Sequence, residues 1–508
     1  MAAPEHYDVI IVGSGAGGGT MAHALAPTGA RILLVERGDF VPQEDANWDP
    51  VEVWKHLRYR ATERWLDADG REFLPYMHYG VGGNSKYWGS VLYRLRREDF
   101  LQMEHADGIS PAWPIDYETL APYYDAAERL YSVHGQAGID PTEPPRAPYP
   151  HAPIPHAPRM AELVEQLRAR GLHPAPLPLG LRDPGVQGGC VLCDTCNSFP
   201  CRVLAKSEAD VCCVRPALTH PNVTLVTRTM ARRIYTDPSG KRVESVELEH
   251  DGVVRHVFAP LVVVSAGAVQ SAALLLRSAS DRHPRGLANS SDMVGRRYMA
   301  HLATMLQGFD PRRVNDTVFQ KTVAINDFYF GAPGLPYPLG HIQSQGRTHG
   351  VMAQTVVPWV PVWAYDAWVA RGVDWLVMSE DLPRFDNRVT VESDGRVRVS
   401  YRPNNLGSHT TLVRRWSRLL KEIGFWVVMA HSHKGKNTTH QCGTLVFGDD
   451  PRTSVLDPWC RSHDVDNLFV VDASFFPSSA AVNPALTIIA QSLRVAEYIT
   501  ATELRRGG

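Results

Sequence analysis

The sequence predicts an α/β protein in which a doubly wound parallel sheet, built from separated chain segments, is joined to a second domain with an antiparallel sheet. Two observations support this prediction. Short, continuously apolar runs recur near both ends of the chain, and a long middle region alternates polar and apolar residues. Continuous apolar runs are typical of parallel strands covered on both faces, whereas alternation is typical of half-exposed antiparallel strands.

The N-terminal segment is predicted to form a strand–helix–strand unit. An apolar strand at residues 7–12 leads into a glycine-rich loop, and a helix of small residues follows at 21–26. A second apolar strand at 31–35 ends at Glu36. Two parallel strands joined by a helix in this way open a doubly wound sheet.

The glycine-rich loop has the spacing of a dinucleotide site. Gly13 permits a tight turn, Gly15 lets the backbone approach a pyrophosphate, and Gly18 allows close packing of helix and strand. Glu36 can accept hydrogen bonds from ribose hydroxyls, and its charge disfavours the extra phosphate of NADP. The pattern alone does not separate FAD from NAD. The residues expected at this site are Gly13, Ser14, Gly15, Gly17, Gly18, Glu36 and Arg37.

The remaining chain supplies further strands and one extended segment. Residues 140–158 contain eight prolines and are expected to form an extended surface segment, because proline interrupts helices and central strands. Apolar strands at 223–227 and 261–264 are expected to join the first sheet. A further apolar strand is expected at 468–471 and a final helix at 484–500.

Composition excludes several classes of partner. The 508 residues carry 52 basic and 54 acidic side chains, so a net charge of −2 favours neither nucleic acid nor an anionic membrane. The most apolar stretch, residues 259–276, contains polar breaks and is interpreted as a strand, a turn and a helix rather than a membrane span. The short polar N-terminus lacks the pattern of a signal peptide, so a cytoplasmic location is expected.

Six of the eight cysteines cluster between residues 190 and 213. Cys190, Cys193, Cys196 and Cys201 resemble a ligand set for zinc or an iron–sulfur cluster. The spacing departs from the ferredoxin pattern, because four residues separate the last two cysteines and Pro200 precedes Cys201. We therefore expect structural thiols and no metal, with the metal alternative left open.

Segments far apart in the chain resemble the glucose–methanol–choline (GMC) oxidoreductase family. They are a second glycine-rich loop at 80–90, the run from His440 to Thr444, the run from Asn467 to Pro477 and the run from Asn483 to Thr487. Within the family, they look closest to pyranose oxidases and bacterial glycoside 3-oxidases.

This resemblance implies FAD in a Rossmann-type domain beside a substrate domain. The second loop would run beside the flavin, while Asp472 and Ala473 would lie near the ribityl–pyrophosphate region. Some members attach FAD through a histidine where this chain has Tyr87, so non-covalent FAD is expected. The further residues expected to bind the cofactor are Gly82, Gly83, Asn84, Tyr87, Trp88, Ala266, Asp472, Ala473, Asn483, Pro484 and Thr487.

The resemblance also implies a catalytic pair. His440 is expected to be the base that removes the hydroxyl proton, and Asn483 its polar partner, since a neutral imidazole suits proton removal. His431 and His433 lack equivalent support and could instead contact substrate. Four aromatic residues could stack on a sugar or form core: Trp359, Trp363, Tyr365 and Trp375.

The implied reaction is oxidation of a secondary hydroxyl of a sugar or glycoside to a ketone, with oxygen reduced to hydrogen peroxide. A dehydrogenase that uses a quinone or protein acceptor is the first alternative, and a lyase that does not turn FAD over is the second. The expected FAD-binding domain comprises residues 1–45, 78–100, 200–301 and 430–508. The substrate domain would comprise 46–77 and 302–429, with 101–199 as a connecting or lid region.

Overall fold

A computed structural model describes residues 5–432 and 439–504. The strands are β1 Glu5–His6, β2 Val9–Val12, β3 Ile32–Val35, β4 Trp65–Leu66, β5 Glu72–Phe73, β6 Met103–His105, β7 Gly108–Ser110, β8 Val133–His134, β9 Ala175–Pro176, β10 Leu179–Gly180, β11 Val223–Val226, β12 Thr229–Thr236, β13 Val243–His250, β14 Val253–Phe258, β15 Leu261–Val264, β16 Met299–Ala300, β17 Leu302–Phe309, β18 Val323–Ile325, β19 His341–Ser344, β20 Gly372–Ser379, β21 Arg388–Val391, β22 Val397–Ser400, β23 Val427–Ser432, β24 Gln441–Cys442 and β25 Leu468–Val470.

The α-helices are α1 Ala16–Leu25, α2 Tyr117–Leu130, α3 Pro158–Arg168, α4 Arg215–Ala217, α5 Ala268–Arg277, α6 Gly350–Val356, α7 Val362–Val369, α8 Leu406–Glu422 and α9 Ala485–Ile499. Short 3-10 helices occur at Ala26–Thr28, Asp45–Trp48, Gly83–Lys86, Arg97–Phe100 and Ala473–Phe475. Single π-helical segments occur at Val51–Lys55, Asp210–Val214 and Thr500–Leu504. In the described ranges, no helix is both long and apolar enough to cross a membrane.

The nucleotide-type sheet is parallel and has the strand order β11-β3-β2-β15-β25. Every residue of β2, β3, β15 and β25 is buried, which confirms that these apolar runs are covered on both faces. The helix after β2 begins at Ala16, five residues before the predicted start. Glycine propensity argues against helix there, but packing of α1 against α9 overrides it.

The second large sheet is antiparallel, with the order β23-β17-β20-β19-β18-β9. Its core contains Trp375 of β20 packed edge to face on Trp416 of α8, at 4.9 Å between ring centroids. Both rings are fully buried, so Trp375 belongs to the core and does not face a substrate. Trp359 and Trp363 are instead exposed on the α6–α7 hairpin.

Two smaller sheets were not distinguished by the sequence. Strands β21 and β22 pair antiparallel, and β22 pairs with β4, so these two strands join β4 and β5 in a separate four-stranded sheet. Strands β12, β13 and β14 form a mainly antiparallel sheet with β1 at its edge. Short alternating strands reveal their type in the sequence, but their sheet partners depend on contacts distant along the chain.

Residues 101–199 pack against helix α9 and against the six-stranded sheet. Helix α2 packs on α9, whereas α3 lies in the core beneath the six-stranded sheet and β9 forms its edge. The proline-rich segment between them is extended up to Pro158, where α3 begins. The domain boundaries expected from the sequence stay a prediction, and these contacts show where the segments meet.

Candidate active site

The first glycine loop is shaped by close backbone contacts. Gly13 has φ +99°, and a Cβ there would lie 2.3 Å from the Ser265 carbonyl oxygen. A Cβ on Gly17 would lie 2.1 Å from the Val471 oxygen, and one on Gly18 would lie 1.9 Å from the Gly13 oxygen. These positions require glycine because any side chain would overlap the backbone of β2, β15 or β25 or the loops that follow them.

Gly15 differs from its neighbours. No protein atom outside its adjacent residues lies within 4 Å of the position that its Cβ would occupy. Helix α1 begins at the next residue, so its first backbone N–H groups lie beside this open space. Ser265, next to the same loop, is buried, and its hydroxyl has no hydrogen-bond partner in the described chain. The loop therefore fits a pyrophosphate at the N-terminus of a helix.

Glu36 connects the two ends of the first strand–helix–strand unit. Its carboxylate accepts hydrogen bonds from the Ser14 hydroxyl at 2.6 Å and from the Gly38 backbone N–H at 2.9 Å. Burial raises the pKa of Glu36, and these donors act in the opposite direction. The ribose contact expected of Glu36 stays a prediction, and Glu36 also orders Ser14 in the glycine loop. Arg37 forms an ion pair with Glu63 at 2.7 Å.

The second glycine loop lies against the first. The Gly82 N–H donates to the Ser14 hydroxyl at 3.1 Å, and a Cβ on Gly83 would lie 3.2 Å from the Gly15 Cα. Both Gly82 and Gly83 have positive φ. The structure thus brings together two glycine loops that are about seventy residues apart in the sequence.

The rest of the second loop is ordered by its neighbours. The side-chain oxygen of Asn84 accepts a hydrogen bond from the backbone N–H of His78 at 3.1 Å. Tyr87 stacks on the His78 ring at 3.7 Å between centroids. Trp88 is half-buried and, in the residues that the structure describes, its indole N–H makes no hydrogen bond.

A buried ion cluster anchors this loop, and sequence reasoning missed it. The Lys86 ammonium donates to Glu208 at 2.5 Å and to Asp210 at 2.9 Å, and all three side chains are at most 2% exposed. Lys86 is part of the loop motif, but nothing near it in sequence identifies its partners. The two carboxylates raise the pKa of Lys86 although burial opposes them.

Asp472 connects the loops that follow β15 and β25. Its carboxylate accepts from the Ser271 hydroxyl at 2.5 Å, the Gly267 N–H at 2.9 Å and the Ser474 N–H at 2.9 Å. Ala266 and Ala473 lie on the two loops it joins. The side chain of Asp472 is therefore engaged within the protein, and its expected cofactor contact stays a prediction.

Strands β16 and β24 bring the candidate base to this region. They pair antiparallel through Met299↔Cys442 and Ala300↔Gln441, so the next positions place His301 beside His440. The two Nδ1 atoms are 3.0 Å apart. His440 has φ +53°, a conformation that is uncommon outside glycine and is often found at functional sites.

His440 is held neutral by its surroundings. Burial, followed by the neighbouring His301, Lys321 and His341, lowers the pKa of His440 to about 3. A neutral imidazole has one unprotonated ring nitrogen that can accept a proton. The side chain is partly buried, and its ring is unprotonated throughout the physiological pH range.

Asn483 lies in the loop before α9. It is 9% exposed, and within residues 5–432 and 439–504 its side-chain oxygen accepts no hydrogen bond. Pro484 precedes the first turn of α9, and the Thr487 hydroxyl lies 2.8 Å from the Tyr124 hydroxyl. Asn483 therefore retains polar capacity for a ligand, whereas the Thr487 hydroxyl is bonded within the protein. Of the two further histidines, His431 lies on the exposed strand β23, and His433 falls outside the described residues.

The cysteine cluster forms a loop next to the second glycine loop. All eight cysteines are free thiols, and Cys190, Cys193, Cys196 and Cys201 line one small pocket. Burial and neighbouring thiols raise the pKa of Cys190 to about 12. Among the described residues, no group of three or more His, Cys, Asp or Glu side chains is arranged to hold a single metal ion.

Comparison with known proteins agrees with this arrangement. The N-terminal and C-terminal regions of the GMC oxidoreductase family match residues 7–303 and 384–492. The chain is 30% identical to paromamine 6′-oxidase of Streptomyces fradiae, covering 97% of this chain and 91% of that protein. It is 31% identical to 6′′′-hydroxyparomomycin C oxidase of Streptomyces lividus, covering 98% and 92%.

A third relative and one solved structure extend the comparison. The large subunit of fructose dehydrogenase from Gluconobacter japonicus is 26% identical, with 98% of each chain covered. The crystal structure of a pyridoxine 4-oxidase from Mesorbium loti has a TM-score of 0.69 and 19% identity, covering 98% of this chain and 99% of the other. The latter similarity concerns the fold.

This chain belongs to the GMC oxidoreductase family. The expected fold class, a Rossmann-type domain from separated segments plus a domain with an antiparallel sheet, is confirmed. The cofactor is FAD, and the open space at Gly15 and the N-terminus of α1 fit its pyrophosphate.

Proposed function

We propose that this enzyme oxidises a hydroxyl group of a sugar or glycoside, with His440 as the base. The observation that carries the proposal is the neutral, partly buried imidazole of His440. Asn483 supports it, because its buried side-chain oxygen has no hydrogen-bond partner within the described chain. When bound, FAD supplies the acceptor for the hydride. Relatives named for paromamine, hydroxyparomomycin C and fructose support a substrate of the sugar class.

The roles of the two residues follow from their chemistry. A ring nitrogen of His440 accepts the hydroxyl proton, which increases the electron density on the carbon that loses hydride. The amide of Asn483 can donate to or accept from the same hydroxyl and hold it toward His440. Holding the hydroxyl in one orientation lowers the entropic part of the barrier.

The finer proposal is that a secondary hydroxyl becomes a ketone while oxygen becomes hydrogen peroxide. It rests on the similarity of the second glycine loop and the His440 segment to pyranose oxidases and glycoside 3-oxidases. Two hydrogens leave the substrate and both end on peroxide, so the reaction balances without another reagent. The names of two relatives specify 6′ and 6′′′ positions. If this enzyme oxidised a primary hydroxyl at such a position, its product would be an aldehyde and not the ketone proposed here.

A dehydrogenase with a quinone or protein acceptor is the second candidate. It is favoured by the cysteine loop, whose Ser198 N–H donates to the Tyr87 carbonyl oxygen at 3.0 Å. Lys206, after this loop, donates to the Lys86 oxygen at 3.2 Å. Redox-active thiols or a cluster there would lie next to the glycine loop expected beside the flavin.

The test is anaerobic mixing of the purified flavoprotein with a panel of monosaccharides, glycosides and aminoglycosides, followed by flavin absorbance. We expect bleaching by at least one sugar-class substrate, and NMR of the product identifies the oxidised carbon. Readmission of air with peroxide detection separates oxidase from dehydrogenase. Absence of bleaching by every sugar-class substrate, with bleaching by a simple alcohol, would overturn the sugar assignment.

The base is tested with His440→Ala. We expect the rate of substrate-driven flavin reduction to fall by about 10²–10⁴-fold with FAD content unchanged, because one general base typically contributes that much. His256→Ala, at an exposed position on β14, is the matched control and should leave the rate unchanged. Retained turnover in His440→Ala would remove this residue from the role.

A further inference from the structure

The rings of His301, which is buried, and His440, which is partly buried, are joined by one hydrogen bond whose direction the surroundings determine. Their rings are nearly perpendicular, with 5.0 Å between centroids and 3.0 Å between the two Nδ1 atoms. The other ring nitrogen of His301, Nε2, lies 2.9 Å from the Ser479 carbonyl oxygen. The His301 side chain is nearly inaccessible to solvent, at 2% exposure.

The partners of His301 determine which of its nitrogens carries hydrogen. A carbonyl oxygen only accepts, so the bond to Ser479 requires hydrogen on Nε2 of His301. Burial lowers the pKa of His301, so its ring is neutral near pH 7 and carries a single N–H. Its Nδ1 is consequently an acceptor, and the hydrogen between the two rings belongs to His440.

The same reasoning then fixes the state of His440. Its ring is also neutral, so a hydrogen on Nδ1 leaves Nε2 without one. We propose that His301 is a positioning residue that holds His440 in the Nδ1–H tautomer and leaves Nε2 of His440 as the proton-accepting atom. This inference rests on the proposed function, in which His440 is the base, and it specifies the atom that acts.

The opposite arrangement conflicts with the geometry. With hydrogen on Nδ1 of His301, its Nε2 lone pair would face the lone pairs of the Ser479 oxygen at 2.9 Å. The charged and titratable groups that act on the pair are Lys321 and His341 at His440, and Glu380 at His301. Glu380 favours protonation of His301, but burial is the larger influence and lowers its pKa.

Two substitutions separate positioning from packing. The amide of His301→Asn can place an oxygen near the present Nδ1 and accept from His440, whereas the longer side chain of His301→Gln reaches toward Ser479 instead. We expect His301→Gln to slow substrate-driven flavin reduction by about 10²–10⁴-fold, since replacing the residue that fixes a catalytic histidine tautomer costs about 10⁴-fold in serine proteases. His301→Asn should stay within about tenfold of the wild type, with FAD content and KM unchanged in both variants.

A structural role would give a different pattern, because both variants would lose FAD and stability together. The direct readout is long-range ¹H–¹⁵N correlation spectroscopy of histidine-labelled protein, with the His440 signals assigned by subtracting those of His440→Gln. We expect the Nδ1–H pattern in the wild type and in His301→Asn, and an Nε2–H or mixed pattern in His301→Gln.

An Nε2–H pattern for His440 in the wild type would overturn the inference, and so would a full reduction rate in His301→Gln. If His301→Gln does not fold, the wild-type and His301→Asn spectra decide the question. Turnover retained by His440→Ala would contradict the proposed function alone, because the spectra report the tautomer whether or not His440 is the base.

Discussion

The nucleotide cradle and the proposed catalytic centre around His440 are specified by different physical means. The cradle depends on glycines within six consecutive residues, three of which would overlap backbone atoms if they carried a Cβ. The catalytic centre depends on strand register, which brings together His301 and His440, 139 residues apart. Because the steric constraints are local, the cradle can be predicted from the sequence. The contact between His301 and His440 can be identified only from the assembled fold.

The largest expected effect is on the cradle, from Gly18→Ala. Its Cβ would lie 1.9 Å from the Gly13 oxygen, which is backbone and cannot move without displacing β2. We expect no soluble flavoprotein from this variant in expression and size-exclusion measurements. Gly407→Ala is the control, because a Cβ there meets no atom within 4 Å, and it should yield normal flavoprotein. Normal folding of Gly18→Ala would contradict the prediction that a Cβ cannot be accommodated at this position.

The next effect concerns the anchor of the second glycine loop, from Lys86→Met. Removing the ammonium takes away the buried ion-pair partner of Glu208, while Asp210 keeps its contact with Arg215 at 3.1 Å. Breaking a buried pair in this way costs about 3–5 kcal/mol. We expect a clear fall in the denaturant midpoint. Arg396→Met, which breaks exposed ion pairs with Glu72 and Asp394, is the control and should change it little. Equal shifts in the two variants would contradict the anchoring role.

Gly15→Ala separates binding from folding within the cradle. No protein atom obstructs a Cβ at this position, and φ there is −69°, so the chain should fold. The added methyl would occupy space expected for the pyrophosphate, and we expect FAD affinity to fall about tenfold or more. Flavin titration of the apoprotein measures this change. Unchanged affinity would mean that the cofactor does not approach Gly15.

These contrasts explain how much the sequence revealed. The apolar strands and the glycine spacing predicted β2, β3, β15 and the cradle, because both signals are local. Sequence reasoning missed His301 because the residues around it form no motif, and only the pairing of β16 with β24 identifies it. The partners of Lys86 were missed for the same reason. The sequence left Trp375 open as a core residue or a stacking residue, because composition cannot separate the two, and the structure places it in the core.

A smaller effect is expected from pH at the catalytic centre. Burial lowers the pKa of His440 to about 3, so its base form is fully populated from pH 5 to pH 6.5. We expect the flavin reduction rate to change less than about twofold over that range. An unshifted histidine with a pKa near 6.5 would give a rate about thirtyfold lower at pH 5 than its maximum. Stopped-flow measurements on one substrate distinguish the two results.

The alkaline side needs a separate control, because burial lowers the pKa of Lys321 to about 7 and this group faces His440. Loss of the Lys321 charge above pH 7 would act on the same centre without titrating the base. A fall in rate between pH 6.5 and pH 5, unaccompanied by loss of FAD, would contradict a neutral His440.

The smallest expected effect is that of metal removal. The four thiols of the cysteine loop lie next to the second glycine loop, and we expect them to be structural, so chelator dialysis should leave flavin reduction unchanged. Elemental analysis should find no stoichiometric zinc or iron. In a separate measurement, acid precipitation should release free flavin, as expected for non-covalent FAD. Iron with acid-labile sulfide would instead assign the loop to electron transfer. It would also favour the dehydrogenase over the oxidase, because a cluster next to the second glycine loop offers electrons a route other than oxygen.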